Sequence, residues 1–330
     1  MQYRKFGKTD LMVSEIGFGA WAIGGNAMVG NTPIGWGKTD DNTSIAAIHK
    51  ALDRGINFFD TADFYGLGHS ENLLGKTLAN KKDILIATKV GHKNTDETIQ
   101  LDYSREYILH ACEASLKRLK RDSIDFYQLH SARMQHFEKE KCVEAMETLK
   151  QQGKIRYWGL SLNTFYPEPE ADFLMENNLG NGFQLVYNIV NQRASGLLKK
   201  ISDNAYGIIA RMPLQFGLLT GKFDYKSNFT TDDHRSFRFN KEILENALNI
   251  LNEKIWPLCD KYKISKTALA LSFILSYKNI STVIPGIRTP QHVLDNTSGI
   301  IELEQEDKAA IEMAFTTDFA KVTALMEKQG

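Results

Sequence analysis

The sequence predicts a (β/α)8 TIM-type barrel, with an N-terminal β-hairpin and long loops at the mouth formed by the strand C-termini. Three observations carry that expectation. Eight short, mostly apolar runs (15–19, 58–60, 84–89, 124–129, 156–161, 183–187, 207–211 and 281–285) alternate with stretches of helical periodicity, as buried parallel strands and their crossovers should. The second, third and fourth runs bring Asp60, Lys89 and His130 to the same end, where a barrel of this kind assembles its site. No linker or shift in composition divides the 330 residues, so residues 1–330 are expected to form a single domain.

Taken in order, residues 1–14 surround Gly7-Lys8-Thr9-Asp10 and suit a small hairpin. In the run that follows, Gly17-x-Gly19-x-x-Ala22, with Asp40 about 20 residues beyond, imitates a dinucleotide fingerprint. That motif must open a helix, and Gly24, Gly25, Gly30, Pro33, Gly35 and Gly37 forbid one before Asp41. The glycines suit either a loop passing close to a ligand or a long surface loop.

Ile45, Ile48 and Leu52 share a helical face that starts near Asp40 and Asp41 and stops at Gly55. A short helix is expected over 71–78. Ile108, Cys112, Leu116 and Leu119 mark a helix entered through Ser104, and Cys142, Met146 and Leu149 one stopped by Gly153. Residues 215–240 lack periodicity and suggest a lid or insertion. A long helix is expected along Ile243, Leu248, Leu251, Ile255 and Leu258. Ser265 caps the next, and residues after about 315 form an extension near the mouth.

The bulk numbers exclude more than they assign. Apolar content is 42% and formal net charge zero, which gives no general pull toward nucleic acid or membranes. No apolar run approaches the ~20 residues of a membrane span, and the start MQYRKFGKTD has no secretory h-region. Cys112, Cys142 and Cys259 are odd in number and far apart, and read as buried free thiols without metal spacing. A cytoplasmic protein, a monomer or weak homo-oligomer, is the expectation.

The strand ends suggest acid chemistry. A tyrosine has a pKa of about 10. A nearby ammonium stabilises its phenolate and turns it toward a useful general acid. Lys89 supplies that charge to Tyr65, which lies in the loop after Asp60, and Asp60 keeps the lysine charged through an ion pair. His130 is placed to hydrogen-bond a substrate oxygen. Each residue alone has a structural reading: Asp60 as a cap, Lys89 as the point where a strand meets water, His130 as a satisfied core residue. Their coincidence at one barrel face favours chemistry.

With these residues in place the chain resembles the aldo-keto reductases. The resemblance rests on GWGKTDDNTSIAAIHKALDRGINFFDTADFYGLGHSENLLGKTL, IATKV, DFYQLH, LKQQGKIRYWGLS, GLLTGK and VIPGIR, and covers nearly the whole chain. Within the family it is most similar to the branch holding bacterial stress-related reductases, pyridoxal and sugar reductases and potassium-channel β-subunits. The resemblance implies a small-molecule aldehyde or ketone substrate, with Tyr65 as proton donor, Lys89 and Asp60 tuning it and His130 orienting the carbonyl. It implies NADPH lying extended across the barrel mouth, and no metal.

The cofactor positions that match are Gly19, Ala20 and Trp21 in the first loop, and Ser161 and Gln184 at the nicotinamide carboxamide. Arg211 matches a stacking position, followed by Met212, Pro213 and Leu214; Gly217, Leu219, Gly221 and Lys222 match a loop that clasps the pyrophosphate. Asp295 and Asn296 match adenine contacts. Thr289 caps a helix whose first residue is Pro290, and its free N–H groups beside Arg288, after Gly286, suit a phosphate monoester; that favours NADPH over NADH. Arg235 is a further residue placed to cover the cofactor.

The chain departs from the family at three places. His292 stands where relatives carry glutamine. Asn163 follows Ser161 after an intervening leucine, and Ser131-Ala132-Arg133-Met134-Gln135-His136 replaces a Pro- and Asp-rich loop. Trp21, Trp36 and Phe64 are expected to line the pocket, whereas Arg133 is either an anion contact or an exposed loop residue. Competing functions are an NADPH-binding redox-sensing or regulatory subunit with little turnover, a Schiff-base lyase using Lys89, and a metal hydrolase using His69, His92 and His130. The lyase leaves Tyr65, Gln184 and Arg288 unexplained, and the hydrolase lacks carboxylates at ligand spacing.

Overall fold

The computed structural model describes residues 1–231 and 233–329; Asp232, in the expected lid, and Gly330, the last residue of the expected domain and extension, lie outside them. Eight parallel strands form one curved sheet in chain order: Phe18–Gly19, Phe58–Asp60, Leu85–Val90, Ile124–His130, Ile155–Ser161, Gly182–Val186, Gly207–Arg211 and Thr282–Val283. Their buried runs are Val-, Ile-, Leu- and Phe-rich, because a parallel strand faces side chains on both sides.

The expected end strands are shortened. The first keeps only Phe18–Gly19 and the last only Thr282–Val283. The ladder is therefore not fully closed. Isolated bridges from Ile16 to Val283 and from Gly19 to Gly286 cross the remaining seam. Pro285 has no N–H to continue a ladder. Gly19 lets the two chains approach there, since a Cβ on it would sit 2.8 Å from the Ile284 and Pro285 carbonyl oxygens.

The N-terminal hairpin, Tyr3–Lys5 paired with Met12–Ser14, stoppers the opposite end of the barrel. Phe6 is fully buried, edge-on to Phe126 at 4.9 Å, with Gly182 and Gly207 leaving room for its ring. With Leu11, Val13, Phe58, Leu85, Ala87, Ile209 and Ile284 it fills the inside of the sheet, and the larger apolar cluster lies between the strands and the surrounding helices.

The helices start where their caps stand. Asp40 accepts from Thr43 N–H to start Asp41–Asp53, Ser104 caps Arg105–Leu119, Ser265 caps Lys266–Leu275 and Thr289 caps Pro290–Thr297. The long helix expected over 243–258 is broken: Lys241–Ile250 passes through a π turn, Leu251–Ile255, into Pro257–Tyr262. Pro257 clashes with a regular preceding turn, and the wider turn accommodates it. In place of the expected helix-free loop, Ala20–Gly24 forms a single 3-10 segment. Two hairpins at the mouth carried no sequence signal that was read, Met28–Val29 with Thr32–Pro33 and His92–Thr95 with Thr98–Leu101.

The three cysteines are buried and free, each on a helix. Among the described residues no helix is long and apolar enough to cross a membrane.

Candidate active site

The second and third strands lie side by side in the sheet, which brings Asp60 and Lys89 together. The Lys89 ammonium donates to Asp60 Oδ1 at 2.5 Å, to the Thr61 carbonyl at 2.8 Å and to the Tyr65 hydroxyl at 3.3 Å. Lys89 is fully buried and Asp60 nearly so. Burial works against the ammonium, but the Asp60 carboxylate, followed by Tyr65, outweighs it and raises the lysine pKa. The other Asp60 oxygen accepts from Gln128 Nε2 at 3.0 Å and Gln184 Nε2 at 2.8 Å. The carboxylate is thus held by three donors on three other strands. Gln128 escaped the sequence reading; its place two residues before His130 on an alternating strand was the available signal.

His130 ends the fourth strand beside this group, its ring 5.9 Å from that of Tyr65 and edge-on to it. Its Nδ1 is buried without a partner. Burial, then His92 and Lys89, push its pKa well below the usual histidine value, so the imidazole is neutral. His92 stacks on it at 4.3 Å and is itself lowered to about 4 by burial and by Lys89. Tyr65 is covered on its ring face by Trp21, 5.8 Å away and nearly parallel.

Asp60, Tyr65, His92, His130 and Trp21 line a cavity of about 650 Å3 at the strand C-termini, with Lys89 buried behind them. Of the expected cofactor positions, Gly19, Ala20, Trp21, Ser161, Gln184, Arg211, Met212, Pro213 and Leu214 line it, as do Gly217, Lys222, Gly286, Arg288, His292, Asp295 and Asn296. Leu219 and Gly221 do not. Leu219 is wholly buried in the larger apolar cluster and Gly221 packs against Lys266. Trp36, Phe64 and Arg235 also line the cavity, and Met326 and Gln329 bring the C-terminal helix to it.

Asn163 is not among the lining residues; its side-chain oxygen accepts from the N–H groups of Phe165 and Tyr166 instead. Arg133 is not there either. It pairs at 3.2 Å with the buried Glu170, while the loop after His130 turns into the helix Met134–Lys139. Of that loop only Ser131 reaches the cavity.

Arg211 donates to the Leu162 carbonyl and to Thr164 Oγ1, which leaves its buried Nε without a partner. The segment after it is bent against its preference: Met212, Gln215 and Phe216 all have positive φ. Asn188, another residue the sequence reading missed, holds that bend by donating to the Met212 carbonyl and to Gln215 Oε1.

The expected lid does cover the mouth. Its His234 is 1% exposed, packs at 4.3 Å from Trp36 and 4.7 Å from Trp21, and has no hydrogen bond at either ring nitrogen; the nearest carboxylate, Asp233, stands 3.8 Å from Nδ1. Arg288 donates to the Trp36 carbonyl, tying the first loop, before Asp41, to the start of the helix at Pro290. Among the described residues no cluster of His, Cys, Asp or Glu has the arrangement of a metal site.

Residues 15–314 match the aldo/keto reductase family model. The chain belongs to the aldo/keto reductase family. A relative, aldo-keto reductase YhdN of Bacillus subtilis, is 33% identical over 296 residues, covering 88% of this chain and 86% of its own. Uncharacterized oxidoreductase YqkF of the same organism is 29% identical over 326 residues, 97% of this chain and 99% of that one. Among solved structures, the glycerol dehydrogenase AKR11B4 from Gluconobacter oxydans superposes with a TM-score of 0.81 at 29% identity, over 96% of both chains. Membership carries oxidoreductase chemistry on small carbonyl or alcohol compounds, on a fold that in this family typically binds NADP(H).

Proposed function

We propose that this aldo/keto reductase reduces an aldehyde or ketone to an alcohol with NADPH, using Tyr65 as the proton donor. The observation that carries the reading is the buried Lys89 ammonium in contact with both Asp60 and the Tyr65 hydroxyl beneath the cavity. When bound, the dinucleotide supplies the hydride to the carbonyl carbon. The chain's own residues do the rest. The neutral His130 ring orients the carbonyl oxygen, and Tyr65 passes its proton to that oxygen as negative charge develops there. Lys89 offsets the charge left on the phenolate, and Asp60 keeps Lys89 protonated.

The residues along the cavity fit such a cofactor. Asn296 Nδ2, Trp36 Nε1 and Arg211 Nε are buried and unpaired at its wall, so a polar ligand has donors to meet. Arg288, Lys222 and the capped N-terminus at Pro290 supply positive potential for a phosphate. Arg211 and Gln184 are proposed at the nicotinamide, and Asp295 and Asn296 at the adenine. Relatives differ in cofactor: one, 29% identical, is a NADH-specific methylglyoxal reductase of Escherichia coli. The phosphate contacts of this chain are therefore the part of the reading to test separately.

Fluorescence titration with NADPH and NADH, followed by consumption assays on an aldehyde panel, tests the proposal. Tight NADPH-selective binding with turnover supports it. In Tyr65→Phe reduction is expected to be nearly abolished while NADPH affinity stays close to normal; loss of both would remove the proton-donor role. Tight binding without any turnover would instead favour an NADPH-binding regulatory subunit.

A further inference from the structure

A side chain at the reacting end of the cavity has no part in the chemistry described so far. His92 opens the hairpin after the third strand and lines the cavity beside Tyr65 and His130. Its ring lies nearly parallel to that of His130, 24° apart at 4.3 Å, and Phe64 meets it edge-on at 5.5 Å. The imidazole thus packs against two rings. No group among the described residues hydrogen-bonds to its nitrogens, although a neutral imidazole carries one donor and one acceptor.

We infer that His92 is a specificity-determining residue that hydrogen-bonds a second oxygen of the substrate, on the carbon next to the reacting carbonyl. The substrate class is then a vicinally oxygenated carbonyl: an α-hydroxy ketone, an α-hydroxy aldehyde or an α-dicarbonyl. The inference rests on the carbonyl-reductase reading of the site. The two ring centres lie 4.3 Å apart at the wall of one cavity, near enough for a single substrate to meet both through oxygens on adjacent carbons. His130 serves the first oxygen and His92 the second. Burial keeps His92 neutral, so it acts through a hydrogen bond and not as a cation.

A metal bridging the two histidines would need converging nitrogens and a further ligand. Stacked rings do not converge, and no third ligand of suitable geometry stands by among the described residues. A simple packing role explains these ring contacts but leaves the ring nitrogens without a partner, where an apolar ring would serve as well.

The test compares 3-hydroxybutanone with 2-butanone, which differ by the second oxygen. The readout is the ratio of their kcat/KM values, in which general damage to the site cancels. The wild type is expected to prefer the hydroxy ketone, His92→Leu to lower the ratio about tenfold, as one hydrogen bond is worth, and His92→Gln, which keeps an N–H donor, to retain most of it. A second measurement uses the wild-type protein with NADP+ and follows the imidazole 15N resonances: 3-hydroxybutanone, but not 2-butanone, should shift those of His92. An unchanged ratio in His92→Leu, with both substrates falling together, would overturn the inference, as would an absent 15N shift. Absence of turnover on both ketones with the shift present would remove the reductase reading and leave the second-oxygen contact standing.

Discussion

His234 offers a quantitative test of how the lid is held. The ring is buried among Trp21, Trp36 and Phe216, and its pKa is lowered to about 3, first by burial and then by Arg238, with Asp233 only partly opposing. In the unfolded chain the pKa is about 6.5. The unfolded state therefore binds the extra proton between these values, and stability is lost as pH falls below about 6.5. At pH 5 the unfolded histidine is 1.5 pH units below its pKa, which at about 1.36 kcal/mol per unit costs the folded state about 2 kcal/mol. Over the whole interval down to about pH 3 the loss approaches 5 kcal/mol by the same arithmetic.

The perturbation is His234→Phe, which keeps an aromatic ring in the cage and removes the titration. Urea unfolding at neutral pH and near pH 5 should show wild-type stability falling by about 2 kcal/mol more than that of the variant. The difference between the two proteins is the readout because other groups titrate as well. Asp63, whose carboxyl is pushed well above the usual range by burial and by Glu71, works in the opposite direction and cancels in the comparison. Identical pH dependence in the two proteins would refute a neutral buried His234, and a 15N titration of its ring near pH 6.5 would do so directly.

Two further outcomes follow from the site. Asp60→Asn removes the negative charge beside the buried Lys89 ammonium and leaves it only neutral neighbours, the new amide, the Thr61 carbonyl and Tyr65, and should cost about 3–5 kcal/mol in thermal or urea unfolding, as breaking a buried pair does; a loss below about 1 kcal/mol would mean that water reaches the lysine. Arg288→Ala should weaken NADPH by about tenfold more than NADH in fluorescence titration, given the strength of an arginine–phosphate contact, and equal losses would remove the 2′-phosphate role.

Much of the barrel was legible because buried parallel strands write themselves as continuous apolar runs and helices as capped stripes. Ser104, Ser265 and Thr289 cap the helices expected to start at them, and Asp40 caps the helix expected to start near it. Strand ends were harder: 15–19 and 281–285 read as full strands, yet a ladder also needs a partner in register and an N–H at each step, and Pro285 lacks one. The break at Leu251–Ile255 does not disturb the apolar stripe, because a π turn before Pro257 keeps the same face buried, so the periodicity alone shows a continuous helix.

The sequence by itself determined which ionisable groups stand at the strand C-termini, since strand order and polarity follow from the alternation of elements. Asp60, Lys89, Tyr65 and His130 meet for that reason. Only the tertiary structure decided what surrounds them. Gln128 and Gln184 reach Asp60 because the curvature of the sheet points both amides inward. Arg133 is drawn away to Glu170, Asn163 turns to its own backbone, and His92 and His234 arrive from a hairpin and a lid whose local sequence carries no period. Loop side chains take their positions from partners distant in the chain, and no local pattern encodes those meetings.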